Sequence, residues 1–135
     1  GGGCAGAEWA MGEERVEGRV LVVDDDPELR RLTARVLTKA GYEVVACDNG
    51  EDAILKAKSV RPDLILMDVV MPGLNGFQAT RAISRDPDTR AIPIILCTSK
   101  SQETDKIWGM RQGARDYIVK PVNRDELLAK IGAVA

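Results

Sequence analysis

The sequence predicts an α/β protein, a doubly wound five-stranded parallel sheet with helices on both faces. Three observations predict it. Short apolar runs alternate with helical patterns from Arg19 to Val134. The runs are continuously apolar, as strands covered on both faces are. Each helical pattern lies between consecutive strands, where a right-handed crossover places it on one face of the sheet or the other.

The elements follow in order. Arg19–Val23 (RVLVV) is a compact β-branched run and the first strand, and Pro27–Ala40 carries Leu29, Leu32, Val36, Leu37 and Ala40 on one helical face until Gly41 ends it. Tyr42–Cys47 reads as the second strand, Glu51–Val60 as a second helix stopped by Pro62, and Leu64–Met67 as the third strand. A third helix follows Gly76 with Phe77, Thr80 and Ile83 inward. Ile94–Cys97 and Tyr117–Val119 are strands four and five, separated by a helix over Glu103–Gln112, and the last helix runs from Arg124 to Val134.

The chain has 135 residues, 44% of them hydrophobic and 30% charged, which suits one soluble domain with a core. That domain is expected over residues 19–135, with residues 1–18 a flexible tail whose Gly, Ala and Glu show no apolar period. The stretch ahead of Met11, which includes Cys4 and Trp9, is kept out of fold reasoning as a candidate non-native extension. The longest apolar run, Ala91 to Cys97, is interrupted by Pro93 and falls far short of the roughly 20 residues that span a membrane. No membrane association is expected.

Charge is nearly balanced. Glu8, Glu13, Glu14 and Glu17 against Arg15 give the tail a local −3, leaving +1 for the other 117 residues, so no nucleic-acid surface is expected. The cysteines Cys4, Cys47 and Cys97 are odd in number and widely spaced, which argues for a reducing, cytoplasmic compartment, with Cys47 and Cys97 acting as small buried hydrophobes. The chain contains no histidine, which removes Ser-His-Asp triads, Cys-His dyads and HExxH zinc sites. Any chemistry must run on carboxylates, lysines or hydroxyls.

In a parallel sheet the residues just after each strand gather at one edge, where ligands bind. Those residues are Asp24, Asp25 and Asp26, then Asp68, then Thr98 and Ser99, then Lys120 with Pro121. Asp26, followed by Pro27 and Glu28, suits the N-cap of the first helix. Asp24, Asp25 and Asp68 would converge and repel, and a hard cation relieves such repulsion. All-oxygen donors without nearby His or Cys select Mg²⁺. Carboxylate, Mg²⁺, ammonium and hydroxyl aimed at one point are what phosphoryl transfer to an aspartate requires.

The ordered motifs resemble the receiver domains of two-component response regulators. The resemblance covers Arg19 to Ala133 and rests on the strand ending in Asp24-Asp25, LILMDVVMPGLNG around Asp68, LCTSK around Thr98 and GARDYIVKP around Tyr117, Lys120 and Pro121. It implies a flavodoxin-like strand order 2-1-3-4-5. It also implies that Asp68 is the phosphoacceptor, taking a phosphoryl group from a histidine kinase or phosphotransfer protein. Asp25 then resembles the direct Mg²⁺ ligand, Asp24 a water-mediated one, and the Val70 carbonyl a further one. Lys120 resembles the lysine that pairs with the phosphoryl group, and its bond to Pro121 is expected cis. Thr98 resembles the switch hydroxyl, with Tyr117 the ring that would follow it and remodel the face of helix four, strand five and helix five for a downstream protein. Tyr117 also has a plainer reading as a half-buried strand aromatic, and Trp108 as a packing residue of helix four.

Val70 and Lys100 fall where family members tune loss of the phosphoryl group, and Val69 where some chemotaxis members carry tryptophan. Kinase specificity is implied around Arg30, Arg31, Thr33 and Ala34. More narrowly, MPGLNGFQATRAI and TSKSQETDKIWGMRQGARDYIVKP are similar to the stand-alone receivers of the twitching-motility, type IV pilus chemotaxis-like system. A switch of this kind is not an enzyme in the usual sense, although it assists its own phosphorylation and dephosphorylation. The alternatives are a receiver excised from a larger regulator or hybrid kinase, and a haloacid-dehalogenase-class phosphatase. The latter suffers from Glu28 where Thr or Val belongs. A flavodoxin lacks support because no phosphate loop follows the first strand, and GxxxxGK(S/T) is absent.

Overall fold

A computed structural model describes residues 18–99 and 103–134. Cys4, Trp9, Met11, Lys100 and, except for Gly18, the tail expected over residues 1–18 lie outside the described residues. Five strands, β1 (Arg19–Val23), β2 (Glu43–Cys47), β3 (Leu64–Asp68), β4 (Ile94–Thr98) and β5 (Asp116–Val119), alternate with five helices. These are α1 (Pro27–Lys39), α2 (Gly50–Val60), α3 (Gly76–Arg85), α4 (Glu103–Arg111) and α5 (Arg124–Val134). The sheet is parallel throughout, in the order β2-β1-β3-β4-β5. Among the described residues, no helix is long and apolar enough to cross a membrane.

The alternation of side chains along each strand feeds two cores. On one face Leu21, Val23, Ile65, Met67 and Leu96 meet Ala53 and Ala57 of α2 and Ala79 and Ile83 of α3. On the other, Val20, Val22, Leu66, Ile95 and Ile118 meet Leu37 of α1 and Leu127 and Ile131 of α5. Both faces of β1, β3 and β4 are buried, which is why those strands read as unbroken apolar runs. Burial pushes the Cys97 thiol up to about 12 and the Cys47 thiol to about 11, so both behave as inert apolar residues.

Local signals set the helix ends. Asp26 caps α1, its Oδ1 accepting from the Glu28 and Leu29 amides at 2.9 and 3.3 Å. At the other end Gly41, at φ 102°, turns the chain so that the Tyr42 amide bonds the Leu37 carbonyl and the Gly41 amide the Thr38 carbonyl, a Schellman closure. Asn75 and Gln78 form a reciprocal capping box at the start of α3. Thr80, on the inward face of α3, is fully buried with its hydroxyl unpartnered.

The apolar stripe expected on α1 is only partly interior. Leu37 is buried, whereas Leu29 and Leu32 remain 38% and 49% exposed. They line a groove of about 560 Å³ together with Val36 and with Val122 and Leu127 at the α5 side, so the first half of α1 stands off the sheet. Several predicted ends shift by a residue. The consequential shifts are that Asp68 and Thr98 are the last residues of β3 and β4, each held by its ladder.

Gly76 opens α3 directly beneath the end of β3. A Cβ there would overlap the Asp68 carbonyl and come within 2.8 Å of the Val69 Cα, and both obstacles are backbone. Gly76→Ala is therefore expected to lower stability by about 1–3 kcal/mol through overpacking. Urea unfolding followed by circular dichroism measures it, and an unchanged midpoint would contradict the close approach.

Candidate functional site

The register of the sheet delivers the predicted residues to one edge. Val23 pairs with Met67 across β1 and β3, so Asp24 and Asp68, one residue further on each strand, finish side by side. The Asp24 amide donates to the Cys47 carbonyl and the Val69 amide to the Cys97 carbonyl, extending the ladders into the loops. At the far side Thr98 pairs with Val119, and the Lys120 amide donates to the Thr98 carbonyl at 2.7 Å. The Lys120–Pro121 peptide bond is cis.

Within this frame the side chains close on one another. Lys120 Nζ donates to Asp68 Oδ1 at 2.8 Å and to Asp24 Oδ2 at 3.2 Å. The other Asp24 oxygen accepts from the Asp26 amide at 2.9 Å, so both Asp24 oxygens are engaged. Asp24 and Asp68 are buried and Asp25 is exposed, yet one carboxylate oxygen from each of the three lies within 4.8 Å of the others. Such a set of hard oxygen donors, open on the Asp25 side, fits a small divalent cation that keeps part of its water shell. Val70, two residues beyond Asp68, is 60% exposed.

Electrostatics reflect three carboxylates sharing one ammonium. Burial pushes Asp68 up to about 6, with Asp24 and Asp25 adding to the rise and Lys120 opposing it. Burial also works against the charge on Lys120, but Asp68 and Asp24 outweigh it and hold the ammonium above the ordinary lysine range. Lys120 is therefore a fixed cation, and Asp68 is a carboxylate whose charge burial disfavours.

Thr98 is buried at the end of β4, and Tyr117, half-buried on β5, packs against the core on the α2 and α3 face. A small gap of about 10 Å³ lies between them, bounded by Val69, Phe77, Leu96 and Gly109. Trp108 is half exposed on α4 beside the exposed Ile107 and Met110, and is not a buried packing residue.

One contributor was not visible in the sequence. Arg30, grouped above with the surface of α1, is half-buried and its guanidinium donates to the Asp24 carbonyl at 2.7 Å. It ties the acidic loop to the first turns of α1. Its position in the first turn of α1 was the available signal, since helical side chains lean toward the N-terminus and a long one can reach back over it.

The family model for the response regulator receiver domain matches residues 20–132. Protein PilH of Pseudomonas aeruginosa is 56% identical over 117 residues, covering 86% of this chain and 96% of PilH. The phosphate regulon transcriptional regulatory protein PhoB of the same organism is 42% identical over 115 residues, 85% of this chain but 50% of PhoB. The structure of Vibrio cholerae chemotaxis protein CheY4 matches with a TM-score of 0.83 at 34% identity, over 87% of this chain and 98% of CheY4. The receiver domain of a Pseudomonas aeruginosa sensor histidine kinase, solved with a magnesium ion coordinated in its active-site cleft, matches with a TM-score of 0.81 at 32% identity, over 87% of this chain and 96% of that one. Sequence, sheet order and relatives agree, and the chain belongs to the response regulator receiver domain family.

Proposed function

We propose that this chain accepts a phosphoryl group on Asp68 from a phosphohistidine of a partner kinase or phosphotransfer protein and thereby switches its own surface. The observation that carries the reading is the Lys120 ammonium 2.8 Å from Asp68 Oδ1, on the edge where Asp24 and Asp25 converge. Lys120 fixes the orientation of the acceptor carboxylate and holds positive charge where phosphoryl oxygens would arrive. An Asp68 oxygen attacks phosphorus and the P–N bond to the donor breaks. Its electron pair stays on the imidazole nitrogen, which leaves neutral because the other ring nitrogen carries a proton. The product is an acyl phosphate on Asp68. No histidine lies among these 135 residues, so none of them can itself carry the donor phosphohistidine.

Asp25, Asp68 and the Val70 carbonyl are the proposed direct holders of Mg²⁺, with Asp24, whose oxygens are engaged, acting through water. When bound, Mg²⁺ supplies charge neutralisation for the carboxylates and the phosphoryl oxygens. Thr98 and Tyr117 are the proposed switch pair, and the exposed Ile107, Trp108 and Met110 of α4 lie on the face offered to a downstream protein. Identity with PilH supports a stand-alone receiver of the pilus chemotaxis-like kind.

Acetyl phosphate with Mg²⁺ is expected to add one phosphoryl group to the wild type and none to Asp68→Asn, read as intact mass at neutral pH. Equal labelling of the variant by a phosphohistidine donor would remove Asp68 from the role. Excess chelator is expected to cut wild-type labelling at least tenfold, and labelling at full rate in chelator counts against the acidic cluster as a metal site.

The pH dependence has a definite sign. Asp68 is held at about 6, above its ordinary value of 3.8, so the folded protein binds a proton there more tightly than the unfolded chain. Its ionisation therefore costs stability progressively as pH rises from about 4 through 6. In chelator, Asp68→Asn is expected to exceed wild type in stability by about 1–3 kcal/mol at pH 8, the gain shrinking toward pH 4. Paired urea titrations across that range test it, and a gain that grows on acidification would reverse the assignment.

A further inference from the structure

Two ammonium groups from different helices meet the ring of Tyr117. Lys106 of α4 lies 4.7 Å from the ring centroid and Lys130 of α5 lies 5.1 Å from it. Neither residue belongs to the phosphorylation chemistry, and twenty-four residues of chain separate them, so their meeting at one ring is a product of the fold.

Lys130 is pinned. Its Nζ donates to the Tyr117 carbonyl at 2.8 Å and to Asp116 Oδ1 at 3.3 Å, with Glu126 a further 4.0 Å neighbour. Asp116 in turn accepts from the Tyr117 amide at 2.8 Å. The backbone, carboxylate and ammonium at this point of β5 form one closed set, and the ring is the group over which the ammonium is left. Lys106 reaches the same ring from a helix that approaches the sheet closely. At Gly109, one turn further along α4, a Cβ would come within 2.5 Å of Leu96 and 3.3 Å of Phe77.

The space beside the ring is too small for it to turn freely. The gap between Thr98 and Tyr117 is about 10 Å³, near the lower limit for one water and far below the size of a phenol. Lys106 and Gly109 both border that gap, so a ring moving toward Thr98 must displace α4 and change its contact with Lys106.

We propose that Lys106 and Lys130 are positioning residues for the Tyr117 ring, a two-cation clamp that holds it in the unphosphorylated position and so sets the threshold of the switch. The inference rests on the switch reading above, because only a ring that moves has a threshold. Each cation over a partly exposed ring corresponds to about a two- to fivefold change in the ratio of ring positions. A charge-conserving exchange to arginine keeps the attraction, whereas glutamine keeps much of the length and loses it.

The test uses the full chain labelled with 3-fluorotyrosine, which reports on its two tyrosines, with Tyr42 as the internal control for folding. In the unphosphorylated protein, Lys106→Gln and Lys130→Gln are expected to move the Tyr117 fluorine signal toward its position with beryllofluoride and Mg²⁺. The population change is about two- to fivefold for each. Lys106→Arg and Lys130→Arg are expected to hold the wild-type signal, and Tyr42 to stay fixed. Lys106→Gln decides the matter if loss of the Asp116 bond unfolds the Lys130 variant. A Tyr117 signal unmoved by the glutamine exchanges, or moved as far by arginine as by glutamine, overturns the clamp. A wild-type signal indifferent to beryllofluoride and Mg²⁺, with the glutamine variants still shifting it, supports the clamp contacts and overturns the switch reading.

Discussion

The constraint on which the rest depends is the crowding of three carboxylates around one ammonium at the end of a parallel sheet. Lys120 touches Asp68 and Asp24 at 2.8 and 3.2 Å, and Asp25 stands within reach of the same point. One cation cannot neutralise three anions. Burial first, and then the neighbouring carboxylates, push Asp68 up to about 6, a destabilising arrangement for a buried group. A site built to be stable would exchange one carboxylate for an amide. This one keeps a deficit of positive charge that an added cation would relieve, around a buried carboxylate whose charge is disfavoured without it.

The fold produces this crowding through register. Because β1, β3 and β4 run parallel and in step, their last residues reach the same edge, and Asp68 and Thr98 are fixed by strand hydrogen bonds. Lys120 comes from the loop after the edge strand β5, and its amide is bonded to the Thr98 carbonyl, so the Asp68 carboxylate, the Thr98 hydroxyl and the Lys120 ammonium share one continuous ladder. Gly76 permits α3 to begin against the Asp68 backbone, which no residue with a Cβ could do without a shift. Rigidity around Asp68 is thus a property of the backbone, and Asp25 and Val70 are the exposed parts of the edge.

Much of this was legible because it depends on local rules. Unbroken apolar runs such as RVLVV and LILM gave away strands buried on both faces, and Asp26 before Pro27 marked a helix start that the structure caps with that carboxylate. The convergence of Asp24, Asp25, Asp68 and Lys120 followed from parallel topology alone. What escaped depends on tertiary distance. Periodicity placed Leu29 and Leu32 on the inner stripe of α1, but whether a stripe reaches the core is decided by how the helix tilts against α5, and here an open groove intervenes. Arg30 looked like one more surface cation, since a side-chain bond to a backbone carbonyl leaves no trace in composition. Tyr117 stood out as a rare aromatic, yet nothing in the residues around it named Lys106 and Lys130 as its neighbours.

The acidic edge and the Tyr117 ring are joined by a short piece of β5, with Lys120 just past its end and Tyr117 within it. Lys120 is bound to the edge by its side chain and to Thr98 by its amide, while three residues earlier Tyr117 is bound to Lys130 by its carbonyl and to Asp116 by its amide. A four-residue edge strand restrained at both ends has little slack to absorb a displacement of either. A displacement of Lys120 would bear on β5 and on Thr98, and the gap beside Thr98 is bordered by α4, whose Ile107, Trp108 and Met110 are exposed. A helix that exposes large apolar side chains thus borders the gap beside Thr98 and Tyr117, and this follows from the arrangement of contacts before any downstream protein is considered.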